Sequence, residues 1–256
     1  MASSEGNQSR FTGRVHSYTL SRPGYPREIL ALLERECGLS AESRIADVAA
    51  GTGLFTELFL EGGNAVTAIE PNDEMRLACA RLQSRYPKLT VAGGTAEHTG
   101  LPDRCADFVT VAQAFHWLDL QQARREFARI LDRGGWAVVA YNERQMGGDA
   151  FHCGYEDLLL RFGVDYEAVQ RRYPKESALR DFFGPCPKFR ETFANFQLLS
   201  HEALVARIVS SSYMPTPGHP KYEAMRAAID SLFAENESEG VVRINYDCTI
   251  DYGHLG

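Results

Sequence analysis

The chain has 256 residues, 44% hydrophobic and 24% charged, which suits one large folded domain or one domain with a cap. Its formal charge of −7 argues against DNA or RNA as a partner, since phosphate-backbone binding needs a basic stripe. No apolar run reaches the roughly 18 residues a membrane span requires, and the polar N-terminus has no apolar stretch of the secretory kind.

Taken in order, residues 1 to about 15 are polar and expected to be loose. Tyr18-Thr-Leu-Ser-Arg22-Pro-Gly-Tyr25-Pro26 then reads as a defined loop, because two prolines and a glycine exclude a helix. Spacing alone leaves two roles open for it, a surface arm or a flap carrying aromatic rings and one cation. A helix follows from about Arg27 to Glu36, with Ile29, Leu30, Leu32 and Leu33 as its apolar face.

Ile45 to Val48 reads as a short buried strand. Gly51 and Gly53 come next, and a helical run opens with Leu54, Leu58 and Phe59. Strand, glycine turn and helix make the first half of a nucleotide-binding βαβ unit. Glycines there let a ligand lie against the backbone and let the chain take a positive φ. Ala65 to Ile69 is the second strand, and Glu70 stands at its tip, where a carboxylate can accept hydrogen bonds from both hydroxyls of a ribose. The run Gly51-Thr-Gly53-Leu-Phe-Thr56 lacks the third small residue of a dinucleotide fingerprint, and no P-loop is present.

Asn72 and the acids after it start a helix expected to run to about Arg85. Leu89 to Ala92 is a third strand, followed by Gly94-Thr-Ala96-Glu97. Ala106 to Ala112 is a fourth strand ending in Gln113-Ala-Phe-His116-Trp117. Ligands of open α/β sheets collect at such strand ends, so a polar Gln, an imidazole and an indole there are site candidates. A lone histidine can equally be structural. Asp119-Leu-Gln-Gln122 reads as a capping box, Gly134-Gly135 as the stop of the helix it opens, and Trp136 to Tyr141 as the fifth strand, closed by Asn142.

From Glu143 the βα alternation stops. Phe151 to Tyr173 is expected to be helical, either a cap over the strand ends that reads the acceptor or padding for the core. Lys188 to Leu199 is a sixth strand. Two helices follow, at about Glu202–Val209 and Pro220–Glu235, with Ser212 and Tyr213 between them where they can look into a pocket. The seventh strand alternates cleanly from Val242 to Tyr252. Six cysteines are scattered without a Cys-x-x-Cys pair, so neither a zinc knuckle nor a redox dithiol is expected; no metal site is expected, and reduced thiols fit a cytoplasmic protein.

Asp47-x-Ala49-x-Gly51-x-Gly53 resembles motif I of the class I S-adenosylmethionine-dependent methyltransferases, usually (Asp/Glu)-x-Gly-x-Gly-x-Gly; here Ala49 replaces the first glycine. Tyr18-x-x-x-Arg22-Pro-x-Tyr25-Pro26, Gln113-Ala-x-His116-Trp117 and Leu-x-x-Gly-Gly before the fifth strand further resemble a subfamily that includes trans-aconitate methyltransferase-like proteins. The resemblance spans nearly the whole chain. It implies an α/β fold: a Rossmann-like seven-stranded, mostly parallel sheet with an antiparallel last strand beside the fifth, helices on both faces, and a cap after the fifth strand. The expected division is 1–36 arm and helix, 37–142 cofactor core, 143–187 cap and 188–256 the rest of the sheet. It implies S-adenosylmethionine held by Tyr18, Arg22, Ala49, Gly51, Gly53, Glu70, Ala96, Glu97 and Gln113, with Arg22 suited to the methionyl carboxylate.

The expected chemistry is in-line displacement of the sulfonium methyl by a small-molecule acceptor, with His116 as base where the acceptor must lose a proton, and an aromatic face such as Tyr18 or Trp117 near the sulfonium. A monomer or homodimer is expected. An enzyme that cyclises the aminobutyrate part of the cofactor and releases methylthioadenosine has the same pocket requirements. A nicotinamide oxidoreductase fits less well, because the third glycine is missing and a seventh strand is present.

Overall fold

A computed structural model describes residues 22–164, 166, 176–211 and 213–255. Seven strands form one sheet in the order β3-β2-β1-β4-β5-β7-β6. These are β1 (Arg44–Val48), β2 (Ala65–Ile69), β3 (Leu89–Ala92), β4 (Ala106–Ala112), β5 (Leu131–Arg144), β6 (Lys188–Leu199) and β7 (Val242–Gly253). The pairs among β1 to β5 are parallel. β7 slots between β5 and β6 and is antiparallel to both; the antiparallel place beside the fifth strand is the one the resemblance implied.

The helices are α1 (Glu28–Cys37), α2 (Leu54–Glu61), α3 (Asp73–Ala80), α4 (Leu120–Ile130), α5 (Ala150–Phe162), α6 (Glu176–Phe183), α7 (His201–Val209) and α8 (Tyr222–Asn236). Parallel strands buried on both faces need apolar residues of both parities. In β4, Phe108 packs with α1 and α2, while Val109 and Val111 pack with α4 and α6. β5 divides the same way, Val138 and Ala140 to one side, Val139 and Tyr141 to the other.

β7 does a second job. Its lower residues Cys248, Ile250 and Tyr252 belong to the core under α1 and α2, while Val242, Ile244 and Tyr246 pack with α5, α7 and α8. One strand of 12 residues, about 40 Å long at the usual rise, therefore carries both the sheet core and the cap.

Three expectations needed correction. Gly134-Gly135 does not stop α4: the helix ends at Ile130 and β5 starts at once, because Leu131 is already extended at φ −66°, ψ 136°. Gly135 instead lets strands approach, since a Cβ there would stand 2.9 Å from the Asp107 carbonyl oxygen. α5 ends at Phe162 rather than Tyr173, and at Gly163 a Cβ would lie 2.6 Å from the Leu159 oxygen; residues 167–175 lie outside the described residues. α3 stops at Ala80 and tightens into a 3-10 turn over Arg81–Ser84. Among the described residues no helix is long and apolar enough to cross a membrane.

Gly53 opens α2 at φ +91°, and a Cβ there would meet Leu82 Cδ1 at 2.7 Å and Cys79 Sγ at 3.0 Å. It supplies both the left-handed turn and the close approach of α2 to α3. Gly53→Ala is expected to cost about 1–3 kcal/mol, read as a lower urea midpoint at unchanged slope. An unchanged midpoint would refute this account of the turn.

Candidate active site

The chain from β1 into α2 is forced into a tight turn. Ala49, Gly51 and Gly53 all take left-handed φ values, +54°, +60° and +91°. For Ala49 this costs about 1–2 kcal/mol, so the surroundings must impose it. Two carboxylates do so. Asp47, 1% exposed, accepts the Thr56 hydroxyl of α2 at 2.5 Å and the Thr110 hydroxyl of β4 at 2.7 Å. Glu70, 7% exposed, accepts the Gly51 N–H and the Asn72 N–H, each at 2.8 Å.

Above this turn, at the carboxyl ends of β1, β4 and β5, opens a cavity of about 380 Å³. Of the expected site residues, Arg22, Ala49, Gly51, Gln113, His116 and Trp117 line it. The loop bearing Arg22 is tied down: Gly24 O accepts from Asn142 Nδ2 at 3.1 Å and Asn195 Nδ2 at 2.9 Å, and the Tyr25 ring lies 4.6 Å from Phe55. Gln113 also has a left-handed φ, +57°, and its Nε2 donates to Asn142 O at 2.9 Å. A strained non-glycine residue at a strand end marks a place where side-chain direction is held by the fold.

His116 sits in the short 3-10 turn Phe115–Trp117, its ring 4.7 Å from Trp117. The Tyr141 hydroxyl accepts its backbone N–H at 3.1 Å and contacts its Nδ1 at 2.9 Å.

Other expected residues stand elsewhere. Gly53 is buried behind the turn, and the Glu70 carboxylate faces backbone amides rather than the cavity wall. Ala96 is 3% exposed in the core beside α4, and Glu97 accepts the Asp119 N–H at 2.9 Å. Glu97 thereby takes the backbone donor that a capping box assigns to Gln122, whose amide instead bonds the Asp119 carboxylate at 2.8 Å. Tyr18 and Ser212 lie outside the described residues; Tyr213 does reach the cavity.

The sequence reading did not single out Asp47 for a role, nor Thr52, Tyr141, Arg144, Tyr166, Arg207 or Tyr246, all cavity-lining except Tyr141. Only Asp47 carried a local signal, its place in the motif. Thr52 Oγ1 is enclosed with no hydrogen-bond partner. Among the described residues no cluster of His, Cys, Asp and Glu is built to hold a metal.

A sheet of this order with one antiparallel strand set between β5 and β6, and a cavity over a glycine turn, defines the class I methyltransferase architecture. Residues 46–139 match the methyltransferase domain family. A methyltransferase of Mycobacterium tuberculosis is 37% identical over 206 residues, 80% of this chain and 78% of that one. A malonyl-[acyl-carrier protein] O-methyltransferase of Pectobacterium atrosepticum is 34% identical over 114 residues, 44% and 42% of the two chains. A solved structure from Anaeromyxobacter dehalogenans, described as a type II methyltransferase, superposes with a TM-score of 0.63 at 20% identity, covering 91% of this chain and 98% of that one. Phosphoethanolamine N-methyltransferase 2 of Haemonchus contortus, solved with S-adenosylhomocysteine, superposes at 0.55 with 15% identity over 96% and 58%. The chain belongs to the class I S-adenosylmethionine-dependent methyltransferases.

Burial pushes the Asp47 carboxyl up to about 6 from 3.8, against the pull of the Thr56 and Thr110 hydroxyls. A carboxyl with a raised folded-state value favours the native state while protonated. Its stabilising share is complete below about 3.8 and is lost as pH rises through about 6. Relative to Asp47→Asn, the cofactor-free wild type is expected to lose about 2 kcal/mol between pH 4 and pH 7, measured by urea unfolding at each pH. A pH-independent difference between the two proteins refutes the raised value.

Proposed function

We infer that the cavity holds S-adenosylmethionine against the Ala49–Gly53 turn and that the methyl group goes to a small-molecule acceptor entering from the cap. The observation that carries this reading is the turn itself. A Cβ on Gly51 would stand in open space, and beside it the Thr52 hydroxyl is enclosed without a partner. Both fit a polar ligand lying on the backbone there.

Ala49 and Gly51 offer that backbone. Each Glu70 oxygen accepts one amide and keeps a second lone pair, so Glu70 can steady the turn and still accept ribose hydroxyls. Ala96 and Glu97 flank the adenine side, with Ala96 setting the shape of the wall from the core. Arg22 and Gln113 are assigned the methionyl end, and Tyr18 the covering arm. Motifs at Tyr18–Pro26 and Gln113–Trp117 support membership in the trans-aconitate methyltransferase-like subfamily. A cavity of only about 380 Å³ and the charge of −7 favour a small acceptor over nucleic acid. A cytoplasmic monomer or homodimer completes the reading.

When bound, the cofactor supplies an electrophilic methyl on a sulfonium; the S–CH3 bond breaks, its electron pair goes to sulfur, and a bond from the acceptor to CH3 forms. The chain's own work is alignment, exclusion of water and removal of any proton the acceptor loses. His116 is the assigned base, with Trp117 beside it. For Nε2 to take a proton, Nδ1 must carry its own and donate it to the Tyr141 oxygen. That oxygen has lone pairs for both the ring N–H and the backbone N–H of His116. Tyr141 is thus the positioning residue.

The deciding experiment incubates the protein with methyl-labelled S-adenosylmethionine and a pool of small metabolites, read by mass spectrometry. Label in a new compound with S-adenosylhomocysteine formed is the expected result. Methylthioadenosine above the protein-free control, with no labelled acceptor, overturns it in favour of the cyclising reaction. With the acceptor in hand, His116→Ala is expected to slow turnover about 100-fold or more while S-adenosylhomocysteine affinity stays within about twofold. Unchanged turnover removes His116 as base.

A further inference from the structure

The half of the cavity away from the glycine turn is built by the cap, and it contains a charge the mechanism above does not use. Arg207 lies in the last turn of α7, lines the cavity and is 8% exposed. Tyr155 of α5, Tyr213 and Tyr246 of β7 act on its guanidinium electrostatically, and Tyr246 also hydrogen-bonds to it. Its Nη1 reaches Ser211 Oγ only at 3.4 Å, and its Nε is enclosed with no partner. Among the described residues no carboxylate lies within ion-pair distance of it. Burial pulls its pKa down, but the Tyr246, Tyr155 and Tyr213 oxygens hold it above the usual arginine value, so the charge stays.

Its neighbour on the same wall is balanced. Arg144 pairs with Glu156, which also accepts the Tyr166 hydroxyl at 2.8 Å, and its guanidinium lies 4.6 Å from the Tyr155 ring. Arg144 and Glu156 offset one another, which leaves Arg207 as the cation of the cap wall without a carboxylate partner among the described residues. Fixing a guanidinium there without a counter-ion is costly, and an apolar side chain of similar volume packs a core better. The fractional negative charge at the α7 C-terminus compensates only in part.

We propose that Arg207 anchors a carboxylate of the acceptor, and that this carboxylate remains free while another atom of the acceptor receives the methyl group. One guanidinium without a carboxylate partner matches a carboxylate, whereas a phosphate dianion calls for a second cation; Arg144 is committed to Glu156, and Arg22 is assigned to the methionyl end. The planar guanidinium fork matches two carboxylate oxygens. A carboxylate held in that fork has its lone pairs engaged and is a poor nucleophile, which is why it serves as the handle and not as the methylated group. The comparisons include O-, C- and N-methyltransferases, so family membership leaves the methylated atom open and the anchor is the more specific statement. It rests on the methyl-transfer reading.

The test uses the full chain, methyl-labelled S-adenosylmethionine and a metabolite pool, with products run over a strong anion exchanger at pH 7. The labelled product is expected in the retained fraction. Retention is expected to survive phosphatase and to be lost after carbodiimide coupling to methylamine. Arg207→Met is expected to lower kcat/KM for that acceptor about 100-fold. Its S-adenosylhomocysteine affinity should stay within about twofold and its melting temperature should not fall; Arg207→Lys should recover part of the turnover. A neutral or cationic labelled product, retention that phosphatase abolishes, or cofactor affinity falling in step with turnover each overturns the proposal. Should Arg207→Met not fold, the charge of the labelled product decides alone. No label in any product is a different failure: it removes methyl transfer itself, and the anchor with it.

Discussion

A buried carboxylate under the glycine turn is the constraint on which the site depends. Asp47 is nearly inaccessible, yet it joins β1 to α2 through Thr56 and to β4 through Thr110. Those three elements carry the turn, its helix and the strand that ends in Gln113. Hydroxyl donors let the fold bury this group, because each gives a proton to the carboxylate without adding a cation. With Glu70 holding the Gly51 amide from the other side, the turn keeps three successive odd-numbered residues left-handed, one of them an alanine. A backbone pre-set in this way has no ordering cost left to meet when a ligand settles on it.

This half of the site was legible in the sequence because it is local. Strand, glycines, helix and acid follow one another, and each has its own residue signature. That β7 is a strand was legible too, from the alternation between Val242 and Tyr252, while its antiparallel place beside β5 was implied by the family resemblance. The glycine pair at 134–135 was misread for an identifiable reason. A glycine pair after an apolar helix suggests a stop, but the requirement at Gly135 is imposed by the Asp107 carbonyl of a neighbouring strand, which no local pattern announces. The partners of Ala96 and Glu97 were set at a distance in the same way. Their stretch runs into Thr99, which gives its N–H and hydroxyl to Glu126 of α4 at 2.8 and 2.5 Å. The outcome is a buried alanine and a glutamate engaged in capping.

The cap half was illegible because its polar residues come from separate places. Arg144 ends β5, Tyr166 follows α5, Arg207 ends α7, Tyr213 lies in the next loop and Tyr246 is on β7. In sequence, Arg207 is a basic residue near the end of an amphipathic helix, the ordinary place for a cation. Only the packing of the cap elements around α7 brings it, buried, to the cavity. Tyr246 is similar: its alternation announces a buried face, not that the face turns from core to cavity along one strand.

The two halves differ in charge, and the difference has a direction. Beneath the turn stand Asp47 and Glu70; on the cap wall stands Arg207 with no acidic partner among the described residues. In a poorly solvated space such fixed charges act over longer distances than in water. On the proposed reading, the acidic floor suits the sulfonium and the basic wall an acceptor with an anionic handle. Exchanging the two ligands would set each charged group against its like. That polarity would orient the reactants as well as bind them. It would do so through β7, the single strand that ties the apolar floor beside Asp47 to the tyrosine wall around Arg207.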